Sequence, residues 1–353
     1  MVYENVIKAI DEQDIDAVRS MIALGIDIHE KGNLHESYLM RAWFRCDDFE
    51  IIKLLIDNGA ELNDPSYPAI VGAAFRQSPE MIQYVLDRGA DINAISGDKV
   101  SALWHAAYEG NIALAKHLLD VGIDVTQVGG DALSLAASRN HISIVKLLIE
   151  NNANINFQAF DSHPDRTYSP LHMAAWYGHL ECVRNLLENG ADPSLKNHYG
   201  ERPYHLAKEG KRREIMELIA TYLPKSVQDL DQRRSELKKA GLPKQILDDL
   251  GDESVRIELQ DCRYMDYFIY CSIMDVAVAK IDGQIMISLL FETDDYDAFG
   301  FLVWLPSRKV LASYDVEHQN LMILNDVSWK QFRKSPGVII DRIVDGVYEG
   351  HEV

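Results

Sequence analysis

The sequence predicts an α-solenoid of helix–turn–helix repeats followed by a C-terminal α+β domain with a mainly antiparallel sheet. Three observations carry this. A leucine-rich apolar run closes in the same short phrase six times, at Leu24–Asp27, Asn58–Glu61, Arg88–Asp91, Val121–Asp124, Asn151–Asn154 and Asn189–Asp192. The phrase recurs about every 30 to 38 residues, and self-similarity at that period marks stacked repeats. After Leu223-Pro224 the pattern stops, and from Val255 onward segments rich in β-branched and aromatic residues follow one another. Residues 1–224 are therefore read as six to seven repeats, 225–250 as a charged helical connector and 251–353 as the α+β domain. A solenoid presents an extended surface and not an enclosed pocket, so binding is the expected activity.

The best-formed copy justifies each element. Ser169 can cap a first helix with Pro170 at its first position, where a missing N–H costs nothing. Ala174 and Ala175 are small enough for close approach of a neighbouring helix, and Gly178 ends this helix in a left-handed turn. A second helix carries Val183, Leu186 and Leu187 as an apolar stripe, Gly190 ends it, and Asp192-Pro193 opens an extended connection. Ser101–Asp124 repeats the scheme with Ala106, Ala107, Gly110, Leu118, Leu119 and Gly122. Asp131–Asn154 keeps Ala136, Ala137, Leu147 and Leu148, and Pro68–Asp91 keeps Ala73, Ala74, Leu86 and Gly89. Met1–Ile28 and Ser37–Asn63 keep mainly the second helix, whereas Arg202–Leu223 has Pro203, His205 and Ala207 but loses the closing phrase at Thr221-Tyr222.

Ser169-Pro-Leu-His172, Gly178-His179 and Leu186-Leu-Glu-Asn-Gly-Ala-Asp192 resemble the ankyrin repeat. The resemblance covers roughly residues 1–224 and implies a protein-binding array whose concave face is lined by first helices and loop tips. In the repeat register that face displays Phe75 and Arg76, Tyr108 and Glu109, Ser138 and Arg139, and Trp176 and Tyr177. Exposed Tyr, Trp and Arg dominate interface energetics; the alternative is that these side chains pack on neighbouring repeats. The longest spacing places extra residues in Phe157–Tyr168. This segment is either a recognition finger carrying Phe157, Phe160, Arg166 and Tyr168, or an insertion whose aromatics fold back onto the stack.

With 353 residues, 47% hydrophobic content and a net charge of −20, the chain has the makings of two folded domains with an acidic surface. That surface disfavours nucleic acid and anionic lipid and favours a basic protein partner. Cys46, Cys182, Cys262 and Cys271 show no C-x-x-C pairing and read as reduced thiols. No basic leader followed by an apolar stretch and no run of about 20 apolar residues is present, so a cytoplasmic protein off the membrane is expected.

In the last third, strands are expected at Val255–Leu259, Tyr267–Cys271, Asp275–Ile281, Ile285–Phe291, Phe299–Leu305 and Val310–Tyr314, with a hairpin turn at Asp282-Gly283. A helix is expected over Ser328–Val344, interrupted near Pro336-Gly337. Leu242-Pro243, Phe299-Gly300-Phe301, Tyr314-Asp315-x-Glu317-His318 and Ser328-Trp329-x-x-Phe332 resemble the SMI1/KNR4-type fold, although Leu250-Gly251-Asp252 stands where that family has Asn-Gly-Gly. The resemblance implies an immunity protein that neutralises a toxin by direct binding. Lys211–Arg213, Arg233-Arg234 and Lys238-Lys239 form the basic neighbourhood, either an anion or partner contact or, given the interleaved acids, a solvated helix face.

No nucleophile elbow, phosphate-binding glycine loop or zinc-protease motif is present, and no catalytic residue, metal or cofactor is expected. The run from Glu292 to Asp297 reads as a solvated loop in preference to a cation site. His105, His172 and His205 occupy or adjoin the Pro-Leu-His slot, where imidazole holds a turn. The expectation is a protein-interaction module, most simply a bacterial immunity-type protein that neutralises a basic toxin such as a nuclease. The alternatives are an adaptor or effector, or an array that targets an enzymatic or ligand-binding C-terminal domain. In that last case Glu292, Asp294, Tyr314, Asp315 and His318 would share a cleft.

Overall fold

The computed structural model describes residues 2–32, 36–47, 49–158, 168–197, 199–224, 229–251, 254–259, 262–273, 275–281, 283–293, 298–315, 318–348 and 350–352. The chain divides into two compact units, Met1–Phe157 and Gln158–Val353.

The first unit is a stack of helix pairs: α1 (Val2–Asp11) and α2 (Ile15–Ala23), α3 (Tyr38–Arg45) and α4 (Glu50–Asp57), α5 (Ala69–Phe75) and α6 (Pro79–Leu86), α7 (Ala102–Glu109) and α8 (Ile112–Asp120), α9 (Val125–Ser138) and α10 (Ile142–Glu150). The recurring phrase has a physical content at each position. Its glycine takes positive φ at Gly25, Gly59, Gly89 and Gly122, and Asn152 takes the same conformation where glycine is missing. The next residue is buried, as at Ala60, Ala90, Ile123 and Ala153. The closing Asp or Asn then accepts the backbone N–H two residues on, as Asp27, Asp91, Asp124 and Asn154 do at 3.0, 2.9, 2.9 and 3.1 Å. Asn63 and Asn93 carry this loop to the next copy by accepting the N–H groups of Asp91 and Asp124, both at 2.7 Å.

The first two units keep both helices, where the sequence showed mainly the second. In α3 the second small position is filled by the fully buried Trp43. The space comes from Gly72 on α5, where a Cβ would stand 2.5 Å from the indole. Helix α9 runs 14 residues and starts directly after Asp124, its N-cap, which accepts the Thr126 N–H. Its Gly130 makes room for Phe157, whose ring a Cβ there would overlap. Phe157 therefore folds back onto the stack.

The second unit begins with two further pairs, α11 (Pro170–Tyr177) with α12 (Leu180–Glu188) and α13 (Pro203–Glu209) with α14 (Arg213–Tyr222). Helices α15 (Leu230–Lys239) and α16 (Lys244–Asp249) follow, then β1 (Val255–Glu258), β2 (Tyr267–Tyr270), β3 (Val278–Ile281), β4 (Gln284–Ser288), β5 (Leu290–Thr293), α17 (Ala298–Phe301), β6 (Val303–Leu305), β7 (Val310–Asp315), β8 (Asn320–Ile323), α18 (Trp329–Lys334), α19 (Pro336–Val344) and β9 (Gly350–Glu352). Among the described residues two antiparallel sheets form, ordered β1-β2-β5 and β3-β4-β6-β7-β8-β9.

The strands depart from the expected ones in several places. Ile285–Phe291 is not one strand: it splits at Leu289, whose N–H goes to Leu302 and whose carbonyl accepts Cys271, so β4 and β5 enter different sheets. Phe299–Leu305 starts as the short helix α17 because Gly300 takes φ +88 with its Cα face against the Tyr314 carbonyl. β8 has no counterpart among the expected strands. Trp329 and Phe332 stack on α18 and pack with Phe268 and Tyr270, which anchors the final helices on the smaller sheet.

The last repeat is tied to the strand region by a buried polar cluster. Asp275, with a side chain 3% exposed, accepts Lys208 Nζ at 2.5 Å, Ser254 Oγ at 3.0 Å and Ser272 Oγ at 2.6 Å. His205 Nε2 lies 3.8 Å from its other oxygen. These contacts place α13 in the same compact unit as the sheets, so the division at 157/158 falls within the repeats. Of the expected domain limits, 224 lies between α14 and α15, and 250 lies between α16 and β1. Among the described residues no helix is long and apolar enough to cross a membrane.

Candidate functional site

In the first unit, the ends of α3, α5 and α7 present a row of aromatic side chains. Each first helix places its two alanine-type residues inward, so the next two positions point away from the stack. That register exposes Phe44, Phe75 and Tyr108 by 44%, 40% and 37%. The rings touch in series. Phe44 lies 4.9 Å from Tyr67 and 5.2 Å from Phe75, and Phe75 lies 5.5 Å from His105. Trp104 stacks on Tyr108 at 5.0 Å, and the Arg139 guanidinium sits 3.7 Å over the Tyr108 ring. Aromatic and cation–π contacts of this kind hold the rings in place while each stays partly exposed.

The neighbouring register position is less uniform. Arg76 donates to the Asp47 carbonyl at 2.8 Å and lies against Phe49, so it staples two repeats together. Glu109 is exposed. Phe44 was missed in the sequence because its repeat lacks the small residue at Trp43; the signal was Ala42-Trp-Phe-Arg45 standing where Ala73-Ala-Phe-Arg76 stands one repeat later. In the second unit, Trp176 and Tyr177 are exposed by 45% and 50%, with Tyr177 stacked on His179. Tyr168 is half-buried against His172. Phe160 and Arg166 lie outside the described residues.

The histidines serve the architecture. Nδ1 of the fully buried His172 accepts the Ser169 N–H at 3.2 Å, which leaves Nε2 as the N–H that donates to the Glu201 carbonyl at 3.1 Å in the next repeat. Burial drives its pKa down to about 4, so it is neutral at pH 7. His205 Nδ1 accepts the Arg202 N–H at 2.8 Å in the same way. His105 stands one residue past the slot, where Trp104 replaces the turn-holding imidazole, and burial lowers its pKa to about 4.

Of the C-terminal cleft candidates, the described ones do not converge. Tyr314 is buried in the core of the larger sheet, whereas Asp315 and His318 pair at the surface at 2.9 Å, with His318 71% exposed. Asp294 and Glu317 lie outside the described residues, as does the Glu292 side chain. Among the described residues no group of His, Cys, Asp or Glu is arranged to hold a metal ion.

Paired helices repeated at this period, with the first-helix ends exposed, define a repeat-type binding protein. The repeats are ankyrin repeats, and the chain is an ankyrin-repeat protein: the ankyrin-repeat family model matches in three copies, at residues 70–159, 103–197 and 157–232. The chain is 34% identical over 149 residues to the Caenorhabditis elegans ankyrin repeat and KH domain-containing protein mask-1, covering 41% of this chain and 5% of that protein. It is 28% identical over 214 residues to the mouse B-cell lymphoma 3 protein homolog, covering 56% and 46% of the two chains. With human mitochondrial disaggregase it shares 24% identity over 220 residues, 62% of this chain and 30% of that one. The chain thus spans less than half the length of each of these relatives. Ankyrin repeats make it a protein–protein interaction module.

Proposed function

We propose that the protein is a bacterial immunity-type protein that binds a basic toxin, such as a nuclease, and blocks it without catalysis of its own. The observation that carries this reading is the exposed row Phe44–Phe75–Tyr108 with Arg139, set in a chain of net charge −20. Aromatic anchors supply contact area at low entropic cost, and the surrounding negative field steers a cationic partner and fixes its orientation. The SMI1/KNR4-like motifs around Gly300, Tyr314 and Trp329 point the same way, as does the dispersal of the described acid–base candidates. A cytoplasmic site of action suits a protein that must meet its toxin inside the producing cell.

The test is capture of partners by the purified chain, followed by co-expression with the captured toxin. A basic toxin retained at low salt, released as salt rises and rendered harmless in cells supports the proposal. An acidic or salt-insensitive partner, or capture without protection, would sink it.

A further inference from the structure

Three cations in the second unit share a desolvated space with a single carboxylate. Lys196 and Arg202 flank a tight loop whose base is closed by Asn197 N–H to the Glu201 carbonyl at 2.8 Å and Gly200 N–H to the Asn197 carbonyl at 3.0 Å. That closure brings the two cations to neighbouring positions at the loop's base. Arg233 comes from α15 and is fixed by donating to the Val276 carbonyl and, at 3.1 Å, to Glu236.

Arg202 is 7% and Arg233 4% exposed, and the Nε–H of each is buried with no hydrogen-bond partner. Arg233 is therefore not on the solvated helix face expected from its interleaved acids. Glu236, with a side chain 47% exposed, is the one carboxylate among the described residues that acts on all three cations. The strain shows in the charges themselves. Burial, then Arg233 and Arg202, pushes the Lys196 ammonium down to about 8, and burial, then Arg233, pushes Arg202 down to about 10. The Asp275 cluster nearby is built the opposite way, its buried charge met by an ammonium and two hydroxyls. An unpaired buried guanidinium is among the costliest groups a fold can carry, and it persists where a ligand completes it.

We propose that Lys196, Arg202 and Arg233 form a binding site for a phosphate-type dianion. Among the described residues Glu236 offsets one of the three positive charges and leaves two, the charge of a phosphate or phosphoryl group. The guanidinium fork matches phosphate oxygens two at a time, and Lys196 adds a point charge. Bound anion would satisfy the orphaned Nε–H groups and lock the loop of the last repeat against α15, which makes the site a stabilising one.

The experiment is thermal unfolding of the full chain in a millimolar series of inorganic phosphate, with potassium chloride at matched ionic strength as reference and glycerol phosphate as a second arm. A saturable rise in Tm with phosphate or glycerol phosphate is expected, and the arm that saturates at lower concentration identifies free phosphate or an organic phosphoryl group as the source. Arg202→Met should weaken the half-saturating concentration at least tenfold while raising the phosphate-free Tm, because it removes an uncompensated cation. Lys196→Met provides the same readout at the loop's other end should Arg202→Met not fold. Equal responses to both phosphates and chloride, or an undiminished phosphate response in the folded variants, would overturn the assignment.

Discussion

Replacing Asp275 by Asn tests whether the last repeat is held to the strand region by charge. Asn keeps the size of the side chain but replaces one acceptor oxygen with an amide donor. The native carboxylate, 3% exposed, accepts Lys208 Nζ at 2.5 Å and two hydroxyls on one oxygen, so the variant can keep an acceptor there but removes the negative charge that faces the ammonium. Breaking a buried pair costs about 3–5 kcal/mol. Lys208 is a quarter exposed and can partly rehydrate, which brings the expected loss to about 2–4 kcal/mol. Burial alone would raise the Asp275 pKa, but His205, Lys208 and the hydrogen bonds outweigh it and hold the group below the ordinary aspartate value. Its contribution is therefore complete above the unfolded pKa of about 3.9 and lost as pH falls through the lower folded value. Wild type and Asp275→Asn should converge in strong acid. Urea unfolding followed by tryptophan fluorescence, with Lys208→Met completing a double-mutant cycle, reads both effects. A loss below about 0.5 kcal/mol at pH 7, or a coupling energy near zero, would refute the reasoning.

Other outcomes follow from the same contacts. Gly72→Ala should destabilise by about 1–3 kcal/mol despite alanine's better helix propensity, since its Cβ would stand 2.5 Å from the Trp43 indole; thermal melts of Gly72→Ala with and without Trp43→Leu will show whether the smaller partner restores stability. Phe75→Ala and Tyr108→Ala together should weaken partner binding at least tenfold, about 1.4 kcal/mol or more, with calorimetry against the captured partner as the measure. Arg76→Ala should instead cost about 1 kcal/mol of stability through its lost bond to the Asp47 carbonyl, read by urea denaturation. Because the His172 pKa is lowered to about 4, its contribution is complete above about 6.5 and fades as pH falls towards 4; unfolding free energies from urea titrations at pH 7 and 4.5 should differ by about 2 kcal/mol more in wild type than in His172→Gln.

The repeats were legible because each position of their closing phrase answers a local demand. The positive φ of Gly89, the buried Ala90 and the Asp91 turn are satisfied within a few residues of one another, so the demand is written in consecutive letters. Long-range compensation was not. Trp43 in a small-residue slot looked like a damaged repeat until Gly72, 29 residues away, supplied the space. Arg76 reads as an exposed recognition residue in the register, yet its partner is the carbonyl of Asp47 in the preceding repeat.

By itself the sequence determined that this chain is an array of helix pairs built for binding, and where in each pair the outward residues stand. Only the tertiary structure decided that Phe44, Phe75 and Tyr108 join into one aromatic row, and that Ile285–Phe291 serves two sheets. It also decided that Lys196, Arg202 and Arg233 meet in a space with one carboxylate. Periodicity reports which face of an element is buried; which distant residue fills, pairs or fails to pair with it is settled by packing, where contact and charge balance are first defined.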